Sequence, residues 1–126
     1  MKHILIVAAL LSAPALAQQP RENSMLRMFR HCADFLTESK ENFFAQGRCA
    51  GGIEGLVIGS PSICPAPGGW TLAQAVRIVV LYAEQVPEQW SKSYLNIAFD
   101  GLTRVWPCED KPAVRTPAPA VRQRVY

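Results

Sequence analysis

The most restrictive feature of the sequence is a glycine-rich segment between two cysteines. Cys49 is followed by Ala-Gly-Gly-Ile-Glu-Gly-Leu-Val-Ile-Gly, and Cys64 comes five residues after the last of these glycines. Gly51, Gly55 and Gly59 recur every four residues, so in a helix they share one face. Such a helix is weak on its own, because each glycine costs about 1 kcal/mol relative to Ala. We therefore expect these glycines to be structural, with their bare stripe packed closely against a neighbouring helix.

Residues 1–17 have the layout of a secretory signal peptide. Lys2 gives a positive start, an apolar run follows, and Ala15-Leu16-Ala17 is a small-x-small cleavage site. The apolar run is too short to span a membrane. We therefore expect a periplasmic protein with no membrane anchor after cleavage, whose domain occupies residues 18–108.

Four cysteines follow the predicted cleavage site: Cys32, Cys49, Cys64 and Cys108. In a small chain of an oxidising compartment, four cysteines favour two disulfides. Their wide spacing contains no C-x-x-C pair, so a metal site with His31 as a further ligand is the less favoured alternative. We expect neither a metal nor a cofactor.

The charge distribution argues against a nucleic-acid partner. The formal net charge is +3, but the excess comes from Lys2, Arg21 and the C-terminal tail. Between residues 22 and 108, seven Lys and Arg side chains stand against eight Asp and Glu side chains. Binding to phosphates needs a basic face, which a near-neutral domain of this kind does not predict.

The first half of the domain predicts two helices. Ser24 is a suitable N-cap for the first, whose apolar residues recur at steps of three and four. Gly47 is a natural end for it or its extension. The second is the glycine-rich segment, from Cys49 to about Ile58. The prolines and glycines between residues 59 and 70 predict an irregular loop.

The second half of the domain predicts two more helices. Thr71 and Gln74 have the spacing of a capping box and precede a wide apolar stripe. Pro87 suits the first turn of a fourth helix, which we expect to continue up to Pro107. Residues 109–126 contain several prolines and no apolar face, so a disordered tail is expected there.

Four short helices joined by tight connections predict an all-α, antiparallel, disulfide-bonded bundle. In an up-down arrangement the ends of helices two and four lie at the same pole, which favours a Cys64–Cys108 bridge and leaves Cys32 for Cys49. Chain entropy does not discriminate between pairings, since each bridge contributes roughly 3–4.5 kcal/mol. The other pairings therefore stay open at this stage.

The sequence lacks a recognisable catalytic apparatus, so we expect no catalytic residues and no enzyme. His31 is the single histidine after the predicted cleavage site, and no G-x-S-x-G, H-E-x-x-H, Walker or Rossmann pattern occurs. The Gly-Gly-x-x-Gly at residues 51–55 is a fragment of a dinucleotide loop without the strand that should precede it. Glu54 is either a solvated carboxylate or a polar contact for a partner.

The framework residues resemble those of the Rap/Tai family of immunity proteins. The matching pieces, in order, are Cys32, Cys49-Ala50-Gly51-Gly52-Ile53-Glu54-Gly55, Cys64-Pro65, a Gln-x-Val helix (Gln74, Val76, Val79, Tyr82), Pro87-Glu88, Ala98 and Trp106-Pro107-Cys108. The resemblance implies a periplasmic, all-helical, disulfide-bonded protein that is commonly a homodimer. It also implies an effector partner, a peptidoglycan amidase of type VI secretion, whose active site is blocked. No effector-contacting residue can be carried over from the family.

The most suitable partner-binding residues are those of the loop Ser60, Pro61, Ser62 and Ile63, which Cys64 would stiffen. The alternative is that this loop only connects two helices. A second functional class is a periplasmic chaperone or stress protein, since small helical disulfide-bonded proteins also serve there. A hydrolase is disfavoured by the single histidine.

Overall fold

The computed structural model describes residues 21–109, which form four α-helices and no β-strand. The helices are α1 (Met25–Leu36), α2 (Phe43–Gly59), α3 (Leu72–Gln85) and α4 (Tyr94–Val105), with a 3₁₀ turn at Pro87–Gln89 before α4. The predicted all-α bundle with two disulfides is therefore confirmed. The predicted signal peptide and all but the first residue of the predicted tail lie outside the described residues.

Every helix packs against the other three, so one core lies along the middle of the bundle. Its largest fully buried side chains come from all four helices: Met25, Cys32, Cys49, Ile53, Val76, Val79, Ile97 and Leu102. Most of them occupy the apolar positions that recur at helical spacing in the sequence. Burial of these faces, rather than intrinsic propensity, stabilises short helices such as these.

The break between α1 and α2 comes earlier than Gly47, which corrects the predicted boundary. Helix α2 begins at Phe43, and Gly47 lies within its second turn. The chain reverses between residues 37 and 42, where Glu38 and Asn42 have φ values of 54° and 53°. The buried Gln46 donates from Nε2 to the carbonyl oxygens of Ser39 and Glu41, at 2.8 and 2.6 Å. These hydrogen bonds fix the turn in place of a glycine cap.

Helix α1 begins after Ser24, as predicted, but the Ser24 side chain makes no capping hydrogen bond. Instead, the amides of Met25 and Leu26 donate to the carbonyl oxygens of Lys92 and Trp90, both at 2.9 Å. In return, the amide at the start of α4 donates to the carbonyl oxygen of Asn23 at 2.8 Å. The exposed backbone donors of both helix N-termini are therefore satisfied by main-chain contacts between the two elements.

The capping box of α3 is confirmed: Thr71 and Gln74 each accept a hydrogen bond from the other's backbone amide. The predicted start of the fourth helix at Pro87 is wrong, because Pro87 opens only the 3₁₀ turn. The carbonyl oxygens of Trp90 and Lys92 bond to the start of α1. Those carbonyls are thus unavailable for a continuous helix, and α4 begins only at Tyr94.

The bundle contains two disulfides, which lie in different parts of the molecule. Cys32 of α1 is bonded to Cys49 of α2, with both residues fully buried and Cα atoms 5.5 Å apart. Cys64 is bonded to Cys108, with Cα atoms 4.9 Å apart. This is the pairing that the up-down geometry favours. The second bridge lies beside a short backbone pairing of Ile63 with Pro107, just beyond the ends of α2 and α4.

The close approach of another helix to α2 occurs at Gly52. A Cβ atom at this residue would lie 2.1 Å from the hydroxyl oxygen of Tyr94 and 3.1 Å from a methyl carbon of Leu95. The Tyr94 hydroxyl also donates to the carbonyl oxygen of Arg48 at 3.0 Å. Gly52 is therefore the glycine of this segment that the packing of α4 requires.

Candidate partner-binding surface

The glycine stripe of α2 faces open space, which corrects the expectation that a neighbouring helix packs on it. A Cβ atom at Gly51, Gly55 or Gly59 would meet no atom within 4 Å, and the same holds for Gly47, one turn earlier. All four residues are exposed. The physical reason is rotational: Ile53 and Val57 face the core, and the stripe lies on the other side of the helix.

This face is costly and has no packing benefit within residues 21–109. Each of the four glycines lowers helix stability by about 1 kcal/mol relative to Ala. The same face also bears two exposed apolar side chains near its ends, Phe44 at 81% and Ile58 at 74% exposure. Sequence choices that reduce stability without a compensating contact are expected at functional sites. The side of α2 that bears these four glycines, the glycine face, is therefore a candidate surface for binding a partner.

The loop predicted to bind a partner continues directly from this face. Pro61 and Ser62 are exposed, and Ser60 is partly buried. Ile63 is the exception, because its side chain is only 4% exposed and belongs to the core. The expectation that all four loop residues are available to a partner is therefore corrected at Ile63, whose role is to anchor the loop.

The loop is held by several local contacts. The amide of Ser60 donates to the carbonyl oxygen of Leu56 at 2.9 Å, and the amide of Cys64 donates to that of Trp106 at 2.9 Å. The Cys64–Cys108 disulfide and the buried Ile63 add two further anchors. Such a loop keeps its shape when it binds, which reduces the entropy cost of association.

The two polar residues singled out in the sequence, His31 and Glu54, belong to no metal-binding cluster within residues 21–109. No group of three or more His, Cys, Asp and Glu side chains in this range could hold a metal ion. Glu54 is exposed on α2, and His31 lies partly buried next to the Cys32–Cys49 bridge. Burial raises the pKa of Tyr94 above its ordinary value of 10.0, an effect that the nearby Arg48 charge opposes.

The comparison with protein families decides the identity of the domain. The model for Rap1a immunity proteins matches residues 23–108. The chain belongs to the Rap1a immunity protein family. No curated protein and no solved structure matches the chain significantly.

The Rap1a match covers all four helices, both disulfides and the exposed face of α2. Membership makes the chain an immunity protein for a cognate effector. Pro87 and Pro107, two framework residues of the resemblance, open the 3₁₀ turn and pair with Ile63, respectively. Within residues 21–109 no helix is both long enough and apolar enough to cross a membrane.

Two glycines of α2, Gly47 and Gly52, have roles that the sequence pattern did not predict. Gly47 extends the stripe by one turn, but it was assigned to the end of the first helix. Gly52 is the tightly packed glycine, but it lies outside the four-residue repeat. The available signal was Phe43 and Phe44, which lengthen α2 enough to include Gly47. The spacing of Cys49, Ile53 and Val57 was the signal that the opposite side of α2, which bears the glycine repeat, faces outward.

Proposed function

We propose that this Rap1a-family protein is exported to the periplasm, where it binds a type VI secretion peptidoglycan amidase and blocks its active site. The family match supports an immunity role. The signal-peptide pattern of residues 1–17 and the two disulfides support an oxidising, extracytoplasmic location. The amidase as target follows from the resemblance described above.

The observation that carries the mechanism is the open glycine face of α2 and its continuation into the loop. A flat helix face without Cβ atoms allows a partner backbone to approach closely. The exposed Pro61 and Ser62 lie beyond its end, on a loop anchored by Ile63 and Cys64. We propose that the loop enters the amidase cleft while the α2 face supports it from the side.

This mechanism is steric and needs no chemistry from the immunity protein. A pre-formed surface binds with little rearrangement of the backbone. Affinity then depends on a few well-buried contacts rather than on total area. We accordingly propose that the protein is an inhibitor without catalytic activity of its own.

The test is inhibition of purified peptidoglycan amidases of type VI secretion, beginning with any that is encoded beside this gene. Purified protein is titrated against each enzyme on peptidoglycan, and release of new amino groups is measured. We expect stoichiometric inhibition by the wild type and loss of inhibition for Ser62→Arg, which places a long side chain on an exposed loop residue. Failure of the wild type to bind or inhibit any of these amidases would contradict the proposal.

A homodimer is a further part of the proposal. Phe43, the first residue of α2, is 66% exposed and lies about 100° around the helix from Phe44 of the glycine face. Exposed large apolar side chains are typical of interfaces. Light scattering with size-exclusion chromatography should give twice the chain mass for the wild type. Phe43→Ser should shift the mass toward the monomer, whereas a monomeric wild type would exclude the dimer.

A further inference from the structure

A cleft between α1 and α2 lies beside the first turns of α2, away from the loop. Its volume is about 310 Å³. The lining combines two arginines and a histidine with a glutamate and two apolar side chains: Glu22, Arg27, Met28, His31, Ala45 and Arg48. Arg27 and Arg48 are neither part of the bundle core nor near the loop of residues 60–63, so neither feature explains why two arginines lie together in a near-neutral domain.

The two arginines of the cleft have no carboxylate partner within residues 21–109. Both ion pairs found in that range are made by a different arginine, Arg30, with Asp34 and Glu41. Glu22 also lines the cleft but forms no ion pair there with Arg27 or Arg48. Arg48 does donate to the Asn23 side-chain oxygen, which leaves most of its donors available. The cleft therefore presents two guanidinium groups that form no ion pair within the described residues, and Glu22 is the one acidic side chain of its lining.

His31 adds a third nitrogen-bearing group to the same wall. It lies one helical turn after Arg27, so the two side chains share a face of α1. The imidazole is partly buried, and its Nδ1 atom is buried without a hydrogen-bond partner among the described residues. A buried nitrogen without a partner is uncommon, so His31 has unused hydrogen-bonding capacity in the wall of the cleft.

The cleft is held rigidly by its surroundings. His31 precedes Cys32 and Arg48 precedes Cys49, so the buried disulfide links the two walls directly behind their polar residues. The carbonyl oxygen of Arg48 also accepts the hydrogen bond from Tyr94. These contacts fix the backbone that carries the polar side chains, so only the side chains themselves have to become ordered when an anion binds.

We propose that the Arg27, His31 and Arg48 cleft is a carboxylate-binding site that receives an Asp or Glu side chain of the partner protein. The planar guanidinium groups match a carboxylate in charge and in donor geometry. Met28 and Ala45 supply an apolar lining against which the methylene groups of such a side chain pack.

The position of the cleft favours the same partner that contacts the loop. Gly51, Gly55 and Gly59 follow Arg48 by three, seven and eleven residues, so all four lie along one side of α2. Ser60 comes twelve residues after Arg48, which corresponds to roughly 18 Å along the helix axis. A protein that lies on the glycine face and reaches the loop therefore also reaches the cleft. The identity of the partner, though not the carboxylate site, rests on the proposed function.

The carboxylate site is tested first with a small probe. Labelled full-length protein is titrated with N-acetyl-glutamate N-methylamide, and the His31 ring signals are followed by NMR against sodium chloride at equal ionic strength. We expect saturable shifts in the wild type and in Arg77→Gln, a charge-matched control on the exposed side of α3. Arg27→Gln/Arg48→Gln should lose them, and shifts that match those of chloride would overturn the site.

The partner as source of the carboxylate is tested with the amidase. Arg27→Gln/Arg48→Gln should weaken its binding by about tenfold or more, because charge-assisted hydrogen bonds are lost, while Arg77→Gln should leave it unchanged. If the probe binds but the double variant binds the amidase normally, the site serves a free carboxylate and the partner assignment is wrong. If no amidase binds the wild type, the proposed function fails and the probe titration alone decides the site.

Discussion

At the scale of single residues, the glycines of α2 divide into two kinds. Gly52 lies under the Tyr94 hydroxyl and has no room for a Cβ atom, whereas Gly55 faces open space. The two glycines are three residues apart inside one helix, so alanine brings nearly the same gain in helix propensity at both. Their alanine variants therefore differ mainly in packing. Comparison of their alanine variants separates the structural requirement from the functional one.

We predict opposite effects on stability for these two alanine variants. Gly52→Ala should lower the free energy of unfolding by about 1–3 kcal/mol, because the new methyl group displaces Tyr94. Gly55→Ala should raise it by about 0.5–1 kcal/mol, because alanine favours the helix and restricts the unfolded chain. Urea denaturation of both variants measures this. Equal destabilisation would mean that the stripe is packed after all.

Tyr94 should make stability fall at alkaline pH. Burial raises the pKa of its phenol above 10.0, so above that pH the unfolded chain loses this proton more readily than the folded one. The folded state then binds more protons, and its stability decreases as pH rises. Tyr94→Phe should cost about 1 kcal/mol at neutral pH through loss of the bond to Arg48, and should show a shallower alkaline decrease. An unchanged pH profile would contradict this.

At the scale of elements, α1 and α3 begin in different ways. Thr71 caps α3 with its side chain, whereas Ser24 occupies the N-cap of α1 with a buried hydroxyl that makes no hydrogen bond. Thr71→Ala should therefore cost about 1 kcal/mol of unfolding free energy. Ser24→Ala should cost little, because main-chain carbonyls of residues 90 and 92 already satisfy α1. Thermal unfolding compares the two, and an equal loss would mean that Ser24 acts as a side-chain cap.

The two disulfides should have separable effects. Chain entropy alone assigns about 3 kcal/mol to Cys32–Cys49 and about 4 kcal/mol to Cys64–Cys108. The first is fully buried, so Cys32→Ala/Cys49→Ala also leaves poorly filled space in the core. The second anchors the loop, so Cys64→Ala/Cys108→Ala should lose amidase inhibition at temperatures where the protein is still folded. Urea curves and inhibition assays at one temperature distinguish these effects, and wild-type inhibition by the second variant would contradict the role of the loop.

At the scale of the whole molecule, the parts predictable from sequence were those that follow from local chemistry. The capping box at Thr71 and the apolar repeats gave the helices, and the resulting bundle geometry favoured the disulfide pairing. The start of α4 was not predictable, because it depends on a tertiary contact between residues 90–92 and α1. The exposed side of α2 was predicted wrongly although the sequence contained the signal, because Cys49, Ile53 and Val57 recur at helical spacing on the side opposite the glycines. The cleft was not predictable either, because Arg48 and His31 are far apart in sequence and are brought together by the packing of α1 against α2 at the Cys32–Cys49 bridge.

The central claim is that the open glycine face of α2 serves a partner protein and not the fold. Gly55→Arg fills this face at a residue where a side chain meets no neighbour, and Leu81→Arg adds the same charge at a 53% exposed residue of α3. The measurement is titration of the amidase with each variant, after circular dichroism has shown that both are folded. We predict that Gly55→Arg loses inhibition and Leu81→Arg retains it. Equal inhibition by the two folded variants would contradict the claim.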